Sequence, residues 1–125
     1  MNKIINTKDA PAPIGPYSQA VLAGNTLYVS GQIPLIPGTD NLADGSIEEE
    51  THQVMKNMAA VLKAAGASFQ EVVKCSIFVS NMGDFAKINA VYGEYFQTNP
   101  PARETVEVSC LPKNVNVEIS CIAVL

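Results

Sequence analysis

The sequence predicts an α+β two-layer sandwich, a single mixed sheet with two helices on one face in the order ββαβαββ. Three observations lead there. Five stretches are rich in β-branched residues, two carry apolar residues at helical spacing, and each helical stretch joins one strand to another. Helices that link strands of one sheet pack back onto it, which layers the chain. At 125 residues, one domain spanning 1–125 around one core is expected.

AVLAGNTLYVS, residues 20–30, holds two short apolar runs around Gly24-Asn25. Both central residues tolerate positive φ, which predicts a tight hairpin. GQIPLIPGTDNLADGS follows and is too rich in Gly, Pro and Asp to be regular, so it reads as a long loop. Ser46 with Glu49 three residues on has the pattern of a capping box. Behind it Ile47, Val54, Met55, Met58, Val61 and Leu62 recur at helical spacing, and Gly66 is placed to terminate the helix. EVVKCSIFVSN, 71–81, is a strand by its β-branched content. Asp84 is positioned to cap a second helix through Phe85, Ile88, Val91, Tyr92 and Tyr95, with Asn99-Pro100 as its stop. Arg103 to Cys110 and Val115 to Val124 flank Leu-Pro-Lys-Asn and read as a hairpin.

Period-two alternation then assigns faces. Ala102, Glu104, Val106, Val108 and Cys110 share one side of the penultimate strand; Arg103, Thr105, Glu107 and Ser109 share the other. A hairpin that pairs Cys110 with Val115 sets Thr105 opposite Ser120 and Glu107 opposite Glu118. One face of the sheet is then mostly apolar and takes the helices. The second mixes Arg103, Thr105, Glu107, Glu118 and Ser120 with Tyr28, Ser30 and Phe78. That mixture is too apolar for a free surface and too charged for a core, as expected of a subunit interface with polar clefts.

Composition narrows the function. Eight Lys and Arg stand against 12 Asp and Glu, a formal charge of −4, and no basic run exists, so nucleic acid is not an expected partner. The Glu48–Glu50 run reads as an acidic first helical turn. Only 16% of residues are charged, which suits a protein that hides surface in an oligomer. Cys75, Cys110 and Cys121 are widely spaced, as reduced thiols are, and alternation puts all three on the helix-facing side. MNKIINTKDAPAP has neither the apolar core of a signal peptide nor the Arg-rich character of a transit peptide. No run approaches the roughly 20 apolar residues of a membrane span. A cytoplasmic protein without membrane association is expected.

Candidate chemistry gathers on the mixed face. Two facing carboxylates, Glu107 and Glu118, would repel, so a water, a shifted protonation state or a bound ligand is expected to offset them. Arg103 offers a planar fork for a carboxylate or phosphate; the plainer alternative is that it pairs with an acidic neighbour. Glu118 alone is equally open to a structural role. APIGPYSQA presents the Tyr17 phenol after a Gly15-Pro16 turn, or tethers an arm. VSGQIP ends a strand at Ser30 and Gly31, where a ligand could approach the backbone. His52 is the only histidine and lies on the first helix, so neither a metal pair nor a Ser/His/Asp relay is expected.

APIGPYSQAV, LYVSGQIPL, QVMKNMAAVLKAAG, VVKCSIFVSNMGDFAKINAVYGEYF, PPARETVEV and LPKNVNVEISCIAV follow one another through the whole chain. Together they resemble the RidA/YjgF/UK family, most specifically in PARETVEV, LPK and VEI. The resemblance implies a chorismate-mutase-like fold and a homotrimer with three clefts between subunits. It implies hydrolysis of reactive enamines and imines, 2-aminoacrylate among them, to 2-oxo acids and ammonia, with no metal or organic cofactor. On it, Arg103 corresponds to the arginine that holds the substrate carboxylate, and Glu118 to the glutamate that positions the attacking water. Tyr17, Ser30, Gly31 and Asn89 correspond to positions lining the cleft. Thr105 stands where many bacterial members carry cysteine, so the resemblance carries over no cysteine role there and leaves its backbone as the group that could serve. Ser109-Cys110 replaces the more usual Ala-Arg before LPK and removes a basic residue near the turn. RNA cleavage or translation inhibition, and non-catalytic small-ligand binding in the same clefts, are the alternatives.

Overall fold

The computed structural model describes residues 2–125. Among them, two helices pack on one face of a mixed six-stranded sheet, as the sequence predicts. The strands are β1 (Lys3–Ile5), β2 (Ala20–Ala23), β3 (Thr26–Gln32), β4 (Val72–Val79), β5 (Ala102–Glu107) and β6 (Val117–Val124); the helices are α1 (Ile47–Ala64) and α2 (Phe85–Tyr95). The spatial order is β1-β2-β3-β6-β4-β5. β1 is additional to the expected elements, since three residues are too short to carry a periodic signal.

Local chemistry explains most boundaries. The β2–β3 hairpin turns at Gly24-Asn25, with Ala23 paired to Thr26. Only Gly24 takes a positive φ, 62°, the requirement of a type II′ turn, so Asn25 need not. At the start of α1 the Ser46 hydroxyl accepts from the Glu49 N–H at 3.1 Å. The predicted reciprocal bond does not form, because the Glu49 carboxylate folds over Gly45 instead. A complete capping box stands at Ser68 and Glu71, which cap the single 3-10 turn before β4. α1 ends in a Schellman motif: Gly66 takes φ 79°, its N–H donates to the Lys63 carbonyl, and the Ala67 N–H donates to that of Leu62.

The start of α2 differs from expectation. Asp84 makes no capping bond. Asn81 accepts from the Gly83 N–H at 2.9 Å, and Glu107 from the Met82 N–H at 2.8 Å, so the 3-10 turn Met82–Asp84 is capped and leads into the helix. α2 stops at Tyr95, before Asn99-Pro100, where buried Phe96 turns in against Tyr92 with ring centroids 4.8 Å apart.

The largest correction concerns β5 and β6, which are not a hairpin. β4, α2 and β5 form a crossover unit, so β5 lies parallel to β4 at the sheet edge. The chain then passes the end of β4, turning through Lys113 and Asn114 at φ 56° and 55°, and β6 inserts between β3 and β4. Residues paired across strands share a face. Cys75 pairs with both Cys121 and Arg103, and Phe78 with both Glu118 and Val106. Cys75, Ile77 and Val79 are buried with Val117, Ile119 and Cys121 against Val54, Met58 and Leu62 of α1, which marks the helix side. Arg103, Thr105 and Glu107 are therefore on the helix side. Glu104 and Val106 share the open face with Glu118, Ser120, Phe78 and Tyr28. Alternation groups each set of β5 residues correctly, but each set lies on the side opposite to the one expected.

Candidate active site

The predicted site residues fall into two groups on opposite faces of the sheet. The first surrounds Arg103, the only arginine of the chain. Its guanidinium projects toward α2, where Nη1 donates to Asn89 Oδ1 at 2.6 Å. The guanidinium carbon lies 5.5 Å from the Phe85 ring centre and 5.1 Å from that of Tyr92. Phe85, Asn89 and Tyr92 stand at i, i+4 and i+7, so one helix face supplies all three contacts. No carboxylate lies within ion-pair distance of Arg103 among the described residues, so the expected acidic neighbour is absent. A cation fixed by aromatic faces and one neutral amide keeps most of its N–H donors and its full charge for an anion. Thr105 follows on the same side of β5, with its hydroxyl buried and unpartnered. The Tyr92 hydroxyl is also buried without a partner of ordinary geometry; only the Cys75 thiol, a weak acceptor, lies beside it. Burial raises the Tyr92 phenol far above its usual range, so the ring stays neutral beneath the guanidinium.

The second group surrounds Glu118. β3 and β6 lose register between Val29 and Gln32, so one extra residue bulges at Ser30-Gly31. Gly31 then rests on the Glu118 carboxyl: a Cβ there would come within 2.8 Å of Cδ. Burial pushes the Glu118 carboxyl above its ordinary value of 4.5. The Ser30 hydroxyl donates to the Ser18 carbonyl at 2.6 Å and pins the arm that carries Tyr17. That arm is held further by buried Gln19, whose amide donates to the carbonyls of Thr7, Ala10 and Pro11. Tyr17 remains 50% exposed beside a small cavity of about 30 Å³ that Gly31 also lines. The facing pair Glu107 and Glu118 does not exist. β4 separates their strands, and Glu107 is spent on the Met82 N–H.

Known proteins resemble this chain throughout. A sequence profile for the Endoribonuclease L-PSP family matches residues 7–125. A RutC family protein of Pyrococcus horikoshii is 51% identical over 123 residues, 98% of each chain. The human 2-iminobutanoate/2-iminopropanoate deaminase is 44% identical over 124 residues, 99% of this chain and 90% of that one. The crystal structure of E. coli TdcF with bound serine matches with a TM-score of 0.94 at 40% identity, covering 98% of both chains. The chain belongs to the RidA/YjgF family.

Other groups in this RidA-family chain take structural positions. His52 Nδ1 bonds to the Tyr95 hydroxyl at 2.8 Å, and Nε2 lies 3.9 Å from Glu94, which ties α1 to the end of α2. Among the described residues no cluster of three His, Cys, Asp or Glu could hold a metal ion. Cys75 and Cys121 are buried as expected, and burial raises both thiols. Cys110, expected on the helix side, is exposed: its alternation partners Glu104 and Val106 face away from the helices, and β5 ends at Glu107 before reaching it. No helix among the described residues is long and apolar enough to cross a membrane. Phe85 and Tyr92 join the site beyond the residues the sequence predicts, and their spacing around Asn89 on one helix face is the signal that carries them.

Proposed function

We propose that this chain hydrolyses 2-imino acids of the 2-aminoacrylate type to 2-oxo acids and ammonia in the cytoplasm, as a homotrimer without metal or organic cofactor. The observation that carries the reading is Arg103, a lone guanidinium held by neutral groups and facing no carboxylate among the described residues. The name of the human relative gives the substrate class its support.

Arg103 and Glu118 leave opposite faces of one sheet, so a cleft using both takes Arg103, Asn89 and Thr105 from one copy and Glu118, Gly31, Ser30 and Tyr17 from the next. The open face, with Tyr28 51% and Val106 40% exposed, supplies an apolar surface for such assembly. In that cleft the Arg103 fork fixes the substrate carboxylate and thereby the imine plane, which removes orientational entropy from the barrier. Glu118 accepts a proton from a water aimed at the imine carbon. Its raised affinity for protons makes it a better base than an exposed carboxylate. The C–N bond then breaks and nitrogen departs as ammonia, with the Tyr17 hydroxyl or a backbone N–H beside it as donor.

The test generates 2-aminoacrylate from serine with a dehydratase and traps it with semicarbazide. The wild type lowers semicarbazone yield below the spontaneous level, and Arg103→Ala and Glu118→Gln do not while still eluting as trimers. A wild type without effect would leave small-ligand binding in the same clefts as the reading to pursue. Since the family is also described as an endoribonuclease, RNA cleavage is assayed beside it; cleavage insensitive to Arg103→Ala would move the function elsewhere on the surface.

A further inference from the structure

We infer that Gly93 opens a side-chain subsite beside Arg103, through which this chain accepts 2-imino acids with extended apolar side chains as well as the smallest ones. The inference rests on the carboxylate-binding role of Arg103. Gly93 lies in the last turns of α2, where glycine is less stable than alanine. Neither usual structural reason for it applies. Its φ is not positive, and an added Cβ would meet nothing within 4 Å. The space it leaves belongs to a cleft of about 460 Å³ lined by Tyr92, Phe96, Pro100 and Pro101, with Asn89 and Arg103 at the polar end.

Gly93 stands one turn beyond Asn89, at i+4, and so on the same helix face. Helical side chains tilt toward the N-terminus, so a side chain at 93 would lean over Asn89 and into the cleft. A ligand with its carboxylate on the Arg103 fork can run its carbon chain along the proline rings into the room that Gly93 leaves. The volume falls among pockets of about 300–1,000 Å³ that hold sizeable ligands, more than the smallest 2-imino acid fills. The apolar wall favours a hydrocarbon side chain over a charged one.

The experiment compares wild type, Gly93→Ala and Gly93→Leu as full chains. Imines are generated from alanine and from leucine by an L-amino-acid oxidase with catalase present, and hydrolysis is read by semicarbazide competition. The quantity is the ratio of kcat/KM for the leucine-derived imine over the alanine-derived one, because losses of folding or assembly scale both together. Gly93→Leu is expected to lower that ratio about tenfold or more, and Gly93→Ala by a smaller factor. A ratio unmoved by Gly93→Leu overturns the subsite, as does a wild type active on the alanine-derived imine alone. A wild type that hydrolyses neither imine overturns the proposed function itself, and the subsite with it.

Discussion

Arg103 sits exposed on the edge strand β5 and is held from the side by α2, whereas Glu118 sits half-buried on the central strand β6 beneath the β3 bulge. The first group has contacts that any aromatic or amide side chain in register would supply, and its charge is left open. The second has its position set by backbone on both flanks, and its charge is disfavoured by burial. The contrast separates two ways of preparing a polar group. An edge can present a strong charge with little consequence for folding, while a sheet interior can tune proton affinity only by making the group part of the fold.

Removing Arg103 should give the largest effect and the cleanest separation of activity from stability. Losing charge-assisted bonds of about 1.5–3 kcal/mol each lowers kcat/KM by on the order of a hundredfold or more in Arg103→Ala. Tm stays within about 5 °C of wild type by calorimetry, because an exposed edge residue holds little of the core. A collapse in Tm would break the comparison at its first term.

Glu118→Gln should couple both quantities. Activity falls by about 10²–10⁴, the span of a lost general base. The stability effect has a definite sign. Because burial raises the Glu118 carboxyl, the folded chain keeps that proton to higher pH than the unfolded chain does. The native state then binds more protons between the unfolded value near 4.5 and the higher folded value, so stability falls as pH rises through that window. Urea midpoints measured from about pH 4 to about pH 7 should lose this component of slope in Glu118→Gln. Wild-type activity should rise with pH across the same window, as the carboxyl ionises.

Gly31→Ala sharpens the second half alone. The new Cβ overlaps the Glu118 carboxylate, a movable side-chain end, so the carboxylate turns aside and the fold adapts. Turnover should fall about tenfold by the semicarbazide assay, at a stability cost of about 1 kcal/mol. The smallest effect is expected for Tyr92→Phe, which keeps the ring face under Arg103 and deletes a buried hydroxyl without a good partner. Chemical denaturation should show stability unchanged or raised by about 1 kcal/mol, with KM within twofold. A large rise in KM would mean that the hydroxyl, not the ring, orients the guanidinium.

Part of the site was legible and part was not, for reasons that individual residues make plain. That Arg103, Thr105 and Glu107 travel together follows from alternation, which needs only neighbouring residues. That they face α2 does not, because their side depends on pairing with β4, far away in sequence. Asn89 held a neglected hint: a helix residue assigned to the same cleft as Arg103 already implies a guanidinium turned toward the helices. The β3 bulge at Ser30-Gly31 was also invisible, since its register is set by β6, the last strand of the chain. Gly31 read as a strand terminator for that reason, when its lack of a side chain in fact makes room for Glu118.

The sequence by itself determined both helices and five of the six strands, the two turns at Gly24 and Gly66, and the apolar face of α1, because these rest on contacts within one turn or one strand. Tertiary structure alone decided that β6 inserts between β3 and β4, that Arg103 and Glu118 leave opposite faces, and that Glu107 serves a backbone amide. Those outcomes depend on which distant strands pair. Pairing is chosen by the packing of the whole sheet against α1 and α2, and no local pattern of side chains encodes it.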